Sequence, residues 1–177
     1  MSRSGYTDDY GDDDPLAMGR WRAAVNSAIN GKRGQAALRE VLAALDAMPE
    51  KALIGESLVT ADGDYCTLGV LGAKRGLDMT TVDPEDWDAV AALFGIAPAM
   101  VREIVWENDE GTSTYEYVDV VICGPMPPRH FRPPYCEERH NRTVRVEIDP
   151  AIVAQRRWQR MRNWVASHIK QPAGEPT

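Results

Sequence analysis

The chain has 177 residues, 44% of them hydrophobic, which is enough for one domain whose core needs no disulfide support. No apolar run approaches the roughly 20 residues that cross a bilayer, and residues 1–9 lack the apolar centre of a secretory signal. Three cysteines without framework spacing suit a reducing compartment, so a cytoplasmic protein is expected, with a net charge of −7 that is unevenly spread.

Residues 1–112 hold 10 basic against 20 acidic side chains, whereas 113–177 hold 10 against 7, so an anionic partner would meet the C-terminal part. Residues 1–15 carry Asp8, Asp9, Asp12, Asp13 and Asp14, a composition that buries too little apolar surface to order itself and reads as a disordered acidic tail.

A first helix is expected over 16–29, with Trp21, Val25, Ala28 and Ile29 at helical spacing. Gly31-Lys32-Arg33-Gly34 breaks it, and its glycine spacing does not make a phosphate loop, so it reads as a helix–helix turn. The second helix places Leu38, Val41, Leu42, Leu45 and Met48 in one stripe that ends at Pro49. Residues 53–59 fit either a strand or a helix end, and Asp62-Gly63 signals a turn. A third helix follows with Asp64 as N-cap and Gly76 just past its end, and Gly69 and Gly72 leave room for another helix to approach.

Asp83-Pro84-Glu85-Asp86 reads as a fourth helix start with Asp83 capping and Pro84 at the first helical position, Trp87, Val90, Ala91 and Phe94 facing inward, and Gly95 as the stop. Ala97-Pro98 opens a fifth, ending near Asn108-Asp109. This pair superficially resembles a helix-turn-helix, but its second helix offers Arg102 beside Glu103, Glu107 and Glu110, the wrong charge for a major groove.

Two β-branched runs, 115–122 and 143–148, predict an antiparallel hairpin with a long tip, which must lean on the helices because a lone hairpin is marginal. Asp149-Pro150 caps a last helix with Ile152, Trp158, Met161, Val165 and Ile169 inward and Arg156, Arg157, Arg160 and Arg162 outward; 171–177 read as a loose tail. The expected fold is thus mainly α, an α+β arrangement in which one helical domain (16–170) carries a hairpin insertion (113–149) before its C-terminal helix.

Several segments resemble an uncharacterised family of small phage and prophage proteins. They are GKRGQAALRE from Gly31, LDAMPEKALI from Leu45, DGDYCTLGVLG from Asp62, Glu107-Asn108-Asp109-Glu110, and RWQRMRNWV from Arg157. The resemblance covers most of 30–110 and the last helix. It implies a phage or mobile-element setting and a compact helical fold, and it assigns no chemistry. Typical members pass almost directly from the Asn-Asp motif to the final helix, so the hairpin is a departure from the pattern.

Four constellations can carry chemistry. Cys66, near a helix N-terminus whose dipole favours a thiolate, is a candidate nucleophile, although small apolar neighbours also suit it to a core. Asn108-Asp109 can cap a turn, orient a substrate or hold a cation. Cys123, His130, Cys136 and His140 offer sulfur and imidazole for zinc, but with six, five and three intervening residues they lack the short knuckle spacing. The loop 124–142 sets Arg129, His130, Phe131, Arg132, Tyr135 and Arg139 among two proline pairs; rings and guanidiniums on a stiffened loop are the ingredients of a binding hot spot.

The favoured reading is therefore a non-catalytic accessory protein that binds a host or phage protein through this loop, with no membrane partner and no required cofactor. Countering a host defence is one task that fits. A thiol or metal enzyme using Cys66 or the Cys123/His130/Cys136/His140 set is the alternative, and RNA or single-stranded DNA binding by the arginine-rich C-terminal part is the third. The sequence leaves the oligomeric state open.

Overall fold

The computed structural model describes residues 3–4, 16–121 and 141–171, with the side chains of residues 121, 141 and 142 set aside. Helix α1 (Ala17–Asn30) and helix α2 (Lys32–Ala47) are separated by Gly31 alone, in an extended conformation. The break is one residue rather than the expected four, because Lys32, Arg33 and Gly34 already form the first turn of α2. Gly34 is buried where the helices cross, and a Cβ there would collide with the Ala28 carbonyl oxygen.

The α2 stripe is the spine of the core. Leu38, Val41 and Leu45 are essentially inaccessible and share a cluster with Leu68 and Leu71 of helix α3 (Thr67–Arg75) and with Met161 and Val165 of helix α6 (Pro150–His168). Helices α4 (Trp87–Phe94) and α5 (Pro98–Asp109) close the other side through Val90, Phe94, Met100, Val101 and Ile104. Gly95, at φ 65°, allows the 104° bend between them. Among the described residues, no single helix is long and apolar enough to cross a membrane.

Several caps differ from expectation. Cys66, not Asp64, caps α3, its sulfur accepting from the Gly69 amide at 3.5 Å. Asp64 is instead consumed by the preceding turn, where its amide reaches the Thr60 hydroxyl and its carbonyl accepts from the Thr60 amide. Asp86, not Asp83, caps α4 by accepting from Ala89 at 3.0 Å, while the Asp83 side chain closes the Pro84 turn on the Glu85 amide. Gly69 and Gly72 do admit close neighbours, but these are the Leu58 carbonyl and the Met79 thioether rather than another helix. Residues 53–59 are neither strand nor helix; their only bridge among the described residues is Val59 to Tyr65.

Strand β1 (Tyr115–Val121) and strand β2 (Asn141–Glu147) pair antiparallel, with Tyr115 opposite Glu147 and Val118 opposite Val144. The Ile148 amide donates to the Thr114 carbonyl at 2.9 Å where the hairpin joins the body. In its described residues the hairpin does not bury an apolar face on the helices as expected. Tyr117, Val118, Val120 and Val146 are all exposed, on opposite faces of the ribbon. In α6 the inward residue of the first turn is Val153 instead of Ile152, which is 45% exposed.

Candidate functional site

The end of α5 organises a polar cluster that joins four parts of the chain. Asn108 is 1% exposed and is bonded on both sides of its amide. Its Oδ1 accepts from the Thr67 amide at 3.1 Å and from the Thr67 hydroxyl at 2.8 Å; its Nδ2 donates to the Ile54 carbonyl at 2.8 Å and to Asp109 Oδ1 at 2.7 Å. From α6, Arg157 donates through Nε to the Asn108 carbonyl at 2.8 Å and through Nη1 to the Leu53 carbonyl at 2.9 Å. One asparagine thus ties together the start of α3, the 53–54 segment, the end of α5 and the middle of α6. This is the structural role open to Asn108, and Asp109 completes it on the outer side.

Asp109 is met by a residue that composition assigns to a solvated tail. Arg3 donates to it through Nε at 2.8 Å and Nη2 at 3.1 Å, a bidentate pair in which the Arg3 side chain is only 4% exposed. The Arg3 carbonyl accepts from Trp87 Nε1 at 2.7 Å, and the Ser4 carbonyl from Arg102 Nε at 2.8 Å. The Ser4 hydroxyl donates to Glu110 at 2.9 Å, and Ser4 is fully buried. Arg102 in turn stacks over the Trp87 ring at 4.5 Å. Nothing in the local pattern of residues 1–15 marks Arg3 and Ser4, since their partners lie about a hundred positions along the chain.

Beside this seat lies a cleft of about 600 Å³ lined by Arg3, Gly55, Glu56, Glu85, Asp109, Glu110, Thr114 and Arg157. Glu56 sits at φ 66°, in the left-handed region that non-glycine residues seldom occupy. Burial pulls the Arg3 guanidinium down, but Cys66 and Asp109 outweigh it, so its pKa stands above the ordinary value. Burial lowers that of Arg157, which Asp109, Glu56 and Cys66 only partly restore while Arg3 opposes.

Cys66 is 1% exposed and interacts with the Arg3 guanidinium. Of the histidines, His168 is described; its ring packs on Trp164 at 4.5 Å and contacts the Trp164 carbonyl at the end of α6. The arginines expected on the outside of α6 divide in role. Arg157 is structural, Arg160 pairs with Glu107 at 2.6 Å, Arg162 pairs with Asp46 at 2.6 Å, and Arg156 is exposed.

The remaining candidates, Cys123, Arg129, His130, Phe131, Arg132, Tyr135, Cys136, Arg139 and His140, lie in 122–140, outside the described residues. Among the described residues no group of three His, Cys, Asp or Glu side chains converges as metal ligands would. No family model, curated protein or solved structure matches this chain.

Proposed function

We propose that the chain is a protein-binding module whose hairpin is the docking element. The observation that carries this reading is the exposed valine face of the ribbon. Cross-strand partners share a face, so Val118 and Val120 of β1 stand with Val144 and Val146 of β2, and three of these four are 38–43% exposed. The opposite face is built differently: Tyr115 and Tyr117 meet edge to face at 5.5 Å, Arg145 lies over Tyr115 at 3.9 Å, and Thr143 bonds Asp119 at 2.6 Å. A two-stranded ribbon is marginal by itself, and a partner covering the valine face would supply the missing apolar burial.

The ribbon leads into the Pro/Arg/aromatic stretch, so Arg129, His130, Phe131, Arg132, Tyr135 and Arg139 would extend the same contact. Glu116, Asp119 and Glu147 mix acid into the ribbon, which favours a protein over a nucleic acid. The family resemblance suggests that the partner is a host or phage protein in a mobile-element setting.

The test is a tagged pull-down from host lysate followed by direct binding of the purified partner. The wild-type chain is compared with Val118→Lys/Val146→Glu and with Arg129, Phe131, Arg132 and Tyr135 changed to Ala. A partner lost by both variants, with helical melting unchanged, supports the reading. A partner retained at full affinity by both would refute it.

A further inference from the structure

We propose that the outer edge of β2 pairs with the β2 of a second copy of this chain, antiparallel and centred on Val146, so that two ribbons form one four-stranded sheet. The Ile148 amide donates to the carbonyl of Thr114, which continues the strand register, and hydrogen-bonded pairs alternate along an antiparallel ribbon. The main-chain groups of Val144 and Val146 are therefore turned toward β1, and those of Thr143, Arg145 and Glu147 are turned outward. The sheet has two strands, so this outward row meets no third strand among the described residues. No proline interrupts β2, and no amide is missing from the row. An edge of this kind takes up a further strand.

Charge decides which strand it takes. Arg145 and Glu147 are exposed, opposite in sign and two positions apart on one face of β2. About a two-fold axis at Val146, Arg145 of each copy stands opposite Glu147 of the other, so the edge is complementary to itself. Centring on Arg145 would set like charges against each other, and centring on Val144 would leave both charges opposite neutral residues, Thr143 and Asn141. Arg145 can keep its place over Tyr115 at 3.9 Å, since a guanidinium stacks by its face and donates from its rim. On the other face Val146 meets its own copy and Val144 meets Ile148, which makes the two valine faces continuous. The outward row of β1, with Tyr115, Tyr117 and Asp119, holds an acid without a base. Joining β1 to the β2 of another copy would be head to tail and run on from copy to copy, whereas β2 on β2 closes at a dimer. The pairing uses the edge of the ribbon and leaves its valine face open, so it does not rest on the docking function proposed above.

The experiment is sedimentation equilibrium of the full chain, with no other protein present, against Arg145→Glu, Glu147→Arg and the double exchange Arg145→Glu/Glu147→Arg. The wild-type chain should show a concentration-dependent dimer. Each single variant sets like charges opposite and should raise the dimer dissociation constant by roughly tenfold or more. The double exchange restores opposite charges in the same register and should return the constant close to the wild-type value, although it still lacks the Arg145–Tyr115 stack. A wild-type chain that stays monomeric at its highest soluble concentration overturns the proposal. So do single variants that dimerise as well as the wild type, or a double variant no better than the singles. Should the variants lose their hairpin, amide exchange in the wild-type chain decides. The outward Arg145 and Glu147 amides must become more protected as concentration rises, and protection independent of concentration overturns the pairing.

Discussion

Removing the Asn108 side chain should cost more than any apolar truncation of similar size on the surface. In Asn108→Ala three buried groups lose their partner at once: the Thr67 amide, the Thr67 hydroxyl and the Ile54 carbonyl. An orphaned buried polar group costs about 1–3 kcal/mol, and the hydroxyl can rotate toward another acceptor, so the expected loss is about 3–5 kcal/mol. Against a total stability of roughly 5–15 kcal/mol that is a large share. For a chain of this length it lowers the melting temperature by on the order of 10 °C. Asn108→Asp probes the same site differently. It keeps the acceptor for Thr67 but turns the Nδ2 donor into an oxygen facing the Ile54 carbonyl and Asp109, so it should be no milder than the alanine. Urea titration followed by circular dichroism, with an unchanged m-value, measures both. A loss below about 1 kcal/mol for Asn108→Ala would show that water or rearrangement satisfies these groups, and the reading of Asn108 as the tie between elements would fall.

Two glycines in neighbouring helices should respond to alanine with opposite sign. Gly19→Ala in α1 meets nothing within 4 Å and should gain about 0.5–1 kcal/mol in chemical denaturation, whereas Gly34→Ala drives a Cβ into the Ala28 carbonyl and should lose about 2 kcal/mol or more. Asp78 is held below its ordinary pKa by hydrogen bonds from the Thr80 hydroxyl and amide. Its contribution to stability is therefore present above the unfolded carboxylate range and lost as pH falls through the folded value. Thr80→Val should move its NMR-detected titration upward, and an unmoved titration would remove the hydroxyl as the cause.

What the sequence displays and what it conceals can be traced to single residues. The α2 stripe, the Pro98 and Pro150 starts and the Gly76 and Gly95 stops depend on neighbours within one or two turns, and each stands where expected. The cap of α4 is Asp86 rather than the expected Asp83, because both acids precede the helix and Asp83 is taken up in closing the proline turn. Cys66 as a cap is hard to anticipate, since sulfur is a weak acceptor and Asp64 offers a better one two residues earlier. Ile152 and Val153 both satisfy a helical period, and the choice falls to a long-range bond, Leu53 amide to Ala154 carbonyl, that turns α6 against the 53–54 segment. Asn108-Asp109 was visible as a constellation, but its meaning came from Thr67, Ile54, Arg157 and Arg3. Those partners lie between 41 and 106 positions away, or one helix beyond, and no local pattern records them.

The Thr114–Ile148 hydrogen bond has a consequence for how such a chain can change over time. It brings the entry and the exit of the hairpin to one point on the body, between the end of α5 and the start of α6. The described strands, 115–121 and 141–147, therefore enter and leave through one root, and a strand pair of another length could be joined there while the helices keep their register. Selection can act on the arm without renegotiating the core. Laboratory grafting has the same licence: a foreign hairpin spliced between Thr114 and Ile148 would be displayed at a fixed root on an unchanged helical frame.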